Sequence, residues 1–258
     1  MNKAYRLIWS RVKEAWLVVA EKVRSTGRGV PVTVSLLAAL VLAAGSVSAL
    51  PAGPQVVSGT VGIATAGTTM TITNSPSAII NWQGFSIAAN ETTRFVQQSA
   101  NSSVLNRVIG GNSSQIYGML QSNGRVFLIN QNGILFGPNA KIDVNGLVAS
   151  SLNITNQDFL AGRLKFGADA LAGKVENQGV ITTPSGGSVY LIAPDVENSG
   201  VINVPNGDVL LAAGKEVLLV DSDAPELAVV ITAPEGQALN LGRSEEHTSE
   251  LQSPNTSS

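Results

Sequence analysis

The hydrophobic residues of this chain fall in short β-branched runs that Asn and Gly separate. The stretch "VFLINQNGILFGPNAKIDVNGLVASSLNI", residues 126–154, is typical, because its apolar runs alternate with Asn-Gly turns and carry hardly any charge. Short runs of Val and Ile bounded by Gly and Asn predict strands joined by tight turns. The pattern therefore favours an all-β fold in which helices are scarce.

Two segments of the chain nearly repeat at an offset of twenty-one residues. "VENQGVITTPSGGSVYLIAP" begins at Val175, and "VENSGVINVPNGDVLLAAG" begins at Val196. A period of about twenty residues with two or three strands per repeat is typical of a β-solenoid. We expect Val, Ile and Leu to face inward, Gly and Asn to form the corners, and stacked Asn side chains to bond along the axis. A β-sandwich has a similar composition and is the alternative, but it does not require the repeat.

The start of the coil is predicted within Gly59 to Ile87, where residues alternate in strand fashion and polar side chains cover an open sheet edge. The more polar segment from Asn90 to Gly111 is expected to hold an extrusion or a short hairpin outside the coil. Charge and hydropathy indicate no interdomain linker between Gln55 and Gly242.

The first forty-nine residues have the pattern of a signal peptide. An apolar run from Ser35 to Gly45 is too short for the ~20 residues of a membrane-spanning helix. Small side chains in Val47-Ser48-Ala49 predict cleavage by signal peptidase between Ala49 and Leu50, with a membrane anchor as the alternative. The apolar residues ahead of this run have helical spacing and predict a basic amphipathic helix; they are Ile8, Val12, Trp16, Val19 and Val23.

Charge is segregated along the chain. Residues 1–28 hold seven basic side chains against Glu14 and Glu21, whereas residues 50–242 hold eight basic and thirteen acidic side chains, a net charge of −5. A mature domain with a net negative charge lacks the positive surface that nucleic-acid binding needs. The chain has no Cys, which excludes disulfides and suits a protein that crosses a membrane unfolded.

The residue types that most enzymes and metal sites need are scarce. The one histidine, His247, lies in the terminal tail, so the mature domain cannot build a Ser-His-Asp triad or a His-based metal site. The close acidic pairs are Asp195 with Glu197 and Asp221 with Asp223. Solvated turns explain these pairs best, and calcium binding at the second pair is the alternative. We therefore expect no catalytic residues, no cofactor and no metal.

The aromatic side chains are expected in the core rather than on a glycan-binding surface, because their neighbours are apolar. They are Trp82, Phe85, Phe95, Tyr117, Phe127 and Phe136.

Several motifs in one order resemble a known family. "MNKAYRLIW" resembles the extended signal peptide of large exported proteins of Gram-negative bacteria. "AIINWQGFSI", "NETTRFVQ", "SSVLNRVIGGNSSQIYGML" and "SNGRVFLINQNGILFG" are similar to the secretion domain of two-partner-secretion exoproteins, also called the hemagglutination-activity domain of filamentous hemagglutinin. The nearest likeness is to the high-molecular-weight adhesin branch, and it covers about residues 56–242.

This resemblance implies a right-handed parallel β-helix with small extra-helical strands or hairpins. It also implies a partner: an outer-membrane transporter whose periplasmic domains bind the secretion domain and whose barrel threads the chain out. The recognition motifs would fall on two segments, Asn130-Gln131-Asn132-Gly133 and Asn112-Ser113-Ser114-Gln115-Ile116. The family has Asn-Pro at both places, and here Gln131 and Ser113 replace the Pro, which frees φ and restores an N–H. A purely structural role at a β-helix corner is the alternative for these motifs.

The last sixteen residues differ from the rest. "RSEEHTSELQSPNTSS", residues 243–258, has no strand pattern and resembles the conceptual translation of a sequencing-adapter oligonucleotide. We treat it as an artefact tail on the truncated start of a longer exoprotein; a natural disordered tail is the alternative.

The sequence thus predicts a secreted or cell-surface protein that is not an enzyme and that leaves the cell through the periplasm. Its expected partners are the outer-membrane transporter, signal peptidase and the inner-membrane export machinery, with host-cell glycans or proteins reached through downstream regions. An adhesin or hemagglutinin is the leading cargo. The alternatives are the delivery end of a contact-dependent toxin and a β-helical polysaccharide-active enzyme.

Overall fold

The computed structural model describes residues 5–10, 15–20, 49–167, 172–220, 228–232, 237–241 and 243–245. The chain divides into two compact units, Met1–Gly45 and Ser46–Ser258. In the first unit, β1 (Tyr5–Ser10) pairs antiparallel with β2 (Ala15–Ala20). This hairpin differs from the helix expected here. Both strands are rich in aromatic and β-branched residues, which favour extended backbone as readily as an amphipathic helix.

The second unit consists almost entirely of strands in its described part. Its first half holds β3 (Gln55–Ser58), β4 (Val61–Ala66), β5 (Thr69–Asn74), β6 (Ala78–Trp82), β7 (Thr92–Val96), β8 (Ser103–Val108), β9 (Ser114–Ile116), β10 (Met119–Ile129), β11 (Ile134–Phe136) and β12 (Lys141–Ser150). Its second half holds β13 (Asn153–Ile154), α1 (Asn156–Leu160), β14 (Leu164–Gly167), β15 (Val175–Asn177), β16 (Val180–Thr182), β17 (Ser188–Ala193), β18 (Asp195–Asn198), β19 (Val201–Asn203), β20 (Asp208–Ala213), β21 (Glu216–Val220), β22 (Ala228–Thr232), β23 (Gln237–Asn240) and β24 (Arg243–Glu245).

Most of these strands stack in parallel, each on its equivalent in the next turn of the chain. One column follows β5, β7, β10, β12, β16, β19 and β24, and a second follows β6, β8, β10, β12, β17 and β20. A third follows β9, β11, β15, β18 and β23. Three columns of parallel strands wound by one chain make a β-helix, and each turn of the chain is one rung.

The twenty-one-residue repeat is confirmed as one rung of this coil. Val175 lies opposite Val196, and Val180 lies opposite Val201 in the next rung. The second turns of the two repeats also coincide, because Gly186 and Asn206 both adopt left-handed backbone, with φ of 78° and 51°. Gly and Asn tolerate this conformation better than other residues, as expected for the corners.

The main hydrophobic core runs along the inside of the coil. Its largest members include Trp82, Phe85, Phe95 and Phe136, each at most 1% exposed. Rings contact one another near its N-terminal end, where the centroids of Trp82 and Phe85 are 5.7 Å apart and edge-on. The expectation that the aromatic residues pack in the core is therefore confirmed for these four.

A second apolar cluster lies on the outer face of the second column. Its outward residues include Leu105, Phe127, Val148 and Tyr190, which occupy equivalent positions in successive rungs. An excursion made of β13, α1 and β14, together with β21, covers them. Because both faces of this column are buried, its strands read as continuous apolar runs rather than as alternating ones.

This excursion corrects one expectation from the sequence. The polar segment from Asn90 to Gly111 does not leave the coil, since it supplies β7 and β8, which stack on β5 and β6 as one rung in the first and second columns. The chain leaves the coil at Asn153–Gly167 instead, where antiparallel pairing joins β13 to β14 and β14 to β21. Ile154, Phe159 and Phe166 of this excursion are buried against the apolar outer face, so the polarity of a whole segment was the wrong signal for an extrusion.

Antiparallel strands cover the N-terminal end of the coil. β4 and β5 form a hairpin, and β3 pairs antiparallel with β6. β5 and β6 then begin the parallel columns, which agrees with a coil that starts within Gly59–Ile87. β4 forms the outer edge of its sheet, and Ile63 at its middle is 37% exposed.

Candidate functional site

The two motifs singled out in the sequence lie against each other in adjacent rungs. Ser114–Ile116 forms β9, and Asn130–Gly133 makes the turn that leads from β10 into β11. β9 and β11 pair in parallel, with Ser114 opposite Ile134. The Ser114 N–H donates to the carbonyl of Gly133 at 3.0 Å. The structure therefore joins both motifs in one corner of the β-helix, which we call the Asn corner (Asn112–Ile116 and Asn130–Gly133).

Part of the Asn corner is internal. Asn130 and Ser114 are 0% exposed, and Nδ2 of Asn130 donates to Oγ of Ser114 at 2.9 Å and to the carbonyl of Asn112 at 3.0 Å. Oδ1 of Asn130 accepts from the N–H of Asn132 at 3.0 Å. Ile116 is buried in the core. These side chains hold the corner together and are inaccessible to a partner.

Gly133 is also structural. Its φ is +100°, and a Cβ placed there would lie 2.8 Å from the carbonyl oxygen of Lys174 in the next rung. The Ile134 N–H donates to that carbonyl at 3.0 Å. Both the conformation and the close approach require glycine, so the structural reading of this motif holds for Gly133.

The outer surface of the Asn corner is a set of uncharged polar side chains. Asn112, Ser113, Gln115 and Asn132 are exposed, and Gln131 is half-buried. Nδ2 of Asn132 donates to the carbonyl of Gly110 at 2.9 Å, which ties the second motif to the turn just before the first. These side chains carry no charge, so salt would have little effect on a contact made through them.

The sequence interpretation missed the roles of two adjacent residues of β8, Asn106 and Arg107. Nε1 of Trp82 donates to Oδ1 of Asn106 at 3.0 Å, and Asn106 is 0% exposed inside the coil. Its neighbour Arg107 points outward instead. Strand alternation in "VLNRV" was the available signal, because adjacent residues of a strand face opposite sides.

Arg107 anchors the excursion to the coil. Its guanidinium donates to Oδ1 of Asn153 at 3.1 Å, to Oδ1 of Asn156 at 2.7 Å and to the carbonyl of Ile154 at 2.5 Å. Burial lowers the pKa of Arg107. All three acceptors are neutral, so this arginine acts as a fork of hydrogen-bond donors.

The predicted cleavage site lies at the edge of the second compact unit. The N–H of Ala49 donates to both carboxylate oxygens of Glu91, each at 3.1 Å. The side chain of Leu50 packs against the main core. The chain just after the predicted cleavage point is thus part of the folded domain.

Acidic side chains form no candidate metal site in the part of the chain that the structure describes. Glu176 pairs with Lys174, and this ion pair lowers the pKa of Glu176. Glu197 in the next rung lies 3.8 Å from the same ammonium. The candidate calcium pair Asp221 and Asp223 lies outside the described residues.

Comparisons with known proteins agree with this geometry. Residues 48–256 match the TPS secretion domain, where TPS stands for two-partner secretion, and residues 1–50 match the Extended Signal Peptide of Type V secretion system. The chain belongs to the TPS secretion domain family. The match covers most of the chain, and it includes both motifs of the Asn corner.

The TPS secretion domain described here is also similar to individual solved and curated proteins. The crystal structure of the HMW1 secretion domain from Haemophilus influenzae shares 42% sequence identity and a TM-score of 0.71, over 75% of this chain and 53% of that chain. A heme/hemopexin-binding protein of Haemophilus influenzae is 43% identical over 106 residues, and another of that name is 41% identical over 80 residues. These alignments cover 41% and 31% of this chain, and 12% and 9% of the two relatives.

Family membership establishes the route and the class of this protein. A TPS secretion domain behind an extended signal peptide is exported through the periplasm to the cell surface or the medium, with an outer-membrane transporter as its partner. TPS secretion domains are not enzymes, so the polysaccharide-enzyme alternative does not apply to this domain. Within the described residues, no helix is long and apolar enough to cross a membrane.

Proposed function

We propose that this TPS secretion domain performs two tasks during export: the transporter recognises it through the outer surface of the Asn corner, and it then nucleates the β-helix outside the cell. The observation that carries the first task is the division of the corner into buried and exposed groups. Asn130, Ser114 and Gly133 account for its fold. The exposed side chains of Asn112 and Gln115 have no such structural role.

Free polar side chains suit recognition of a chain in transit. Asn112 and Gln115 are exposed and make no side-chain hydrogen bond among the described residues. Each amide offers donors and an acceptor to a partner backbone. The corner consists of two short segments, 112–116 and 130–133, that lie close together in the sequence. Most of its polar side chains can therefore come together in a locally folded stretch before the coil is complete.

The stacking of rungs supports the second task. Each rung buries its inward side chains against the rung before it, as Val126 does between Val104 and Leu147. A later rung can therefore fold only on an earlier one, which is how solenoids propagate. Antiparallel β3 and β4 cover the N-terminal end, so later rungs add at the C-terminal end of the coil. Folding outside the cell would then favour outward movement.

The cargo of this domain is proposed to be a surface protein that binds a host molecule. The two curated relatives are named heme/hemopexin-binding proteins, and the HMW1 secretion domain is structurally similar. The chain spans 12% of the longer-matched relative, so cargo activity belongs to the whole exoprotein. An adhesin or hemagglutinin that binds host glycans or proteins is the leading candidate, and a contact-dependent toxin is the second.

The recognition task is tested by secretion with and without the cognate transporter. We would replace Asn112 and Gln115 by Ala together and measure the amount of protein in the medium and in the periplasm. The thermal midpoint of the purified domain reports whether the variant folds. The matched control replaces Gln98 and Asn139 by Ala, since these exposed amides lie on other parts of the surface. The proposal expects the Asn-corner variant to accumulate in the periplasm although its thermal midpoint matches that of the control.

Equal secretion of both double variants would overturn recognition by the Asn corner and leave its role purely structural. A joint replacement of Asn132 and Gly133 is expected to reduce secretion too, but it cannot separate the two roles. Gly133 has a positive φ that Ala adopts poorly, so that variant also disturbs the turn.

A further inference from the structure

Glu91 is a buried carboxylate that lacks a cation. It is 5% exposed, and its Oε2 accepts from the N–H of Ala88 at 2.9 Å. The charged side chain that shares its cavity of about 220 Å³ is Lys141 of β12, yet no ion pair joins the two within the described residues. A buried carboxylate without a cation is unfavourable, so a positive group at this position would stabilise the fold.

The group that Glu91 holds is the backbone nitrogen of Ala49. That nitrogen lies 3.1 Å from each carboxylate oxygen, midway between them. The sequence predicts signal cleavage directly after this residue, between Ala49 and Leu50. Hydrolysis of the peptide bond before Ala49 would turn this N–H into an ammonium in the same place, and hydrolysis after Ala49 would create the ammonium on Leu50, one residue along.

The chain beyond Ala49 is already fixed to the first rung. The N–H of Ala52 donates to the carbonyl of Gly84 at 2.8 Å, and the N–H of Gln83 donates to the carbonyl of Ala52 at 2.9 Å. Leu50 packs against the main core, and Pro51 is buried. A new amino terminus at residue 49 or 50 is therefore held within a short distance of Glu91.

We propose that Glu91 is the binding site for the α-ammonium group of the processed chain. Signal peptidase consumes one water, the new carboxylate leaves with the signal peptide, and the new ammonium remains on the domain and pairs with Glu91. Pro51 is buried and the half-buried Leu50 packs against the core, whereas a peptidase needs an accessible, extended substrate, so cleavage precedes the seating of this segment. Processing thus completes the N-terminal end of the β-helix by supplying the missing cation.

The proposal rests on signal removal next to Ala49, which the mass of the processed amino terminus tests independently. We would purify the processed chain from the periplasm of cells that lack the transporter. Trp82 is then its one tryptophan, because Trp9 and Trp16 leave with the signal. Trp82 is fully buried, so its emission reports whether the first rungs have folded.

The measurement is the rate at which an amine-reactive reagent labels the α-amine as a function of pH, located by peptide mass spectrometry. A free α-amine has a pKa of about 7.7–8.0, and pairing with a buried carboxylate raises it. We expect labelling near pH 6.5, well below both pKa values, to be roughly tenfold slower in the processed chain than in Glu91→Gln, which corresponds to about one pKa unit. Insertion of Gly-Ser directly after the cleavage point should restore fast labelling while Glu91 stays in place.

Three outcomes would overturn the proposal. The first is an α-amine with an ordinary pKa in the processed chain. The second is a processed terminus away from residues 49 and 50. The third is a Gly-Ser insertion that leaves slow labelling unchanged. The insertion variant keeps the test decisive if Glu91→Gln fails to fold, because it alters no side chain of the domain.

Discussion

Nδ2 of Asn177 donates a hydrogen bond to Oδ1 of Asn198 at 2.8 Å, from one rung of the β-helix to the next. Both side chains are 0% exposed. The amide of Asn198 in turn donates to Oδ1 of Asn240 at 2.8 Å, so a ladder of amides crosses three rungs. Each amide supplies both a donor and an acceptor along the axis, which lets equivalent residues satisfy one another inside a corner.

Loss of the middle rung of this ladder is expected to destabilise the domain. Asn198→Ala removes the acceptor that the buried amide of Asn177 has in the next rung, which costs about 1–3 kcal/mol of the free energy of unfolding. Urea unfolding measures this loss. The matched control is Asn203→Ala, whose side chain is partly exposed, and it should change stability by less than about 0.5 kcal/mol. Equal effects would show that the ladder contributes no stability.

Gly133→Ala should destabilise the Asn corner through both strain and collision. The new Cβ would lie 2.8 Å from the carbonyl oxygen of Lys174, in addition to the strain at a φ of +100°. The control is Gly186→Ala, where φ is +78° and a Cβ meets no atom within 4 Å. We expect Gly186→Ala to cost about 1–2 kcal/mol from strain alone and Gly133→Ala to cost more. Thermal unfolding of both variants checks the order, and equal midpoints would contradict the collision.

Arg107→Lys is expected to loosen the excursion although the charge is kept. A single ammonium cannot reproduce the fork that reaches Asn153, Asn156 and the carbonyl of Ile154. We expect faster hydrogen exchange across residues 153–167 and a loss of about 1–3 kcal/mol. Arg125→Lys is the control, because Arg125 is exposed. Unchanged exchange in Arg107→Lys would mean that apolar packing alone holds the excursion.

Acid should weaken the domain partly through Glu176. Lys174 lowers the pKa of Glu176 in the folded state relative to its ordinary value of 4.5. The folded state therefore binds this proton less readily than the unfolded state, so the stabilisation is complete above pH 4.5 and is lost as the pH falls through the lowered value.

Glu176→Gln should flatten the dependence of the thermal midpoint on pH in that acid range. Glu197→Gln is the control, because Glu197 is more exposed and lies farther from Lys174, at 3.8 Å, so its effect should be smaller. Identical pH profiles for the unmodified chain and Glu176→Gln would remove this ion pair from the account of acid stability.

Side-chain roles within the recognition motifs could not be assigned from the sequence. "NQNG" predicts a turn on its chemistry alone, and the family resemblance adds a role in recognition. Only the fold shows that Asn130 points into the coil and Asn132 points out, because the direction depends on how the corner packs on neighbouring rungs. The excursion was misplaced for a similar reason: apolar side chains that cover an outer face, such as Ile154 and Phe166, cannot be distinguished in the sequence from those that fill the core.

The sequence by itself determined the coil, its period and its corners. Stacked rungs impose the same requirement on each turn of the chain, so the twenty-one-residue repeat and the Gly and Asn positions record the fold locally. The tertiary structure alone decided which groups are brought together from distant parts of the chain. Glu91 meets Ala49 across forty-two residues, and Arg107 meets Asn153 across forty-six. Such contacts depend on rung geometry and on the burial of both partners, and neither quantity is encoded in a short stretch of residues.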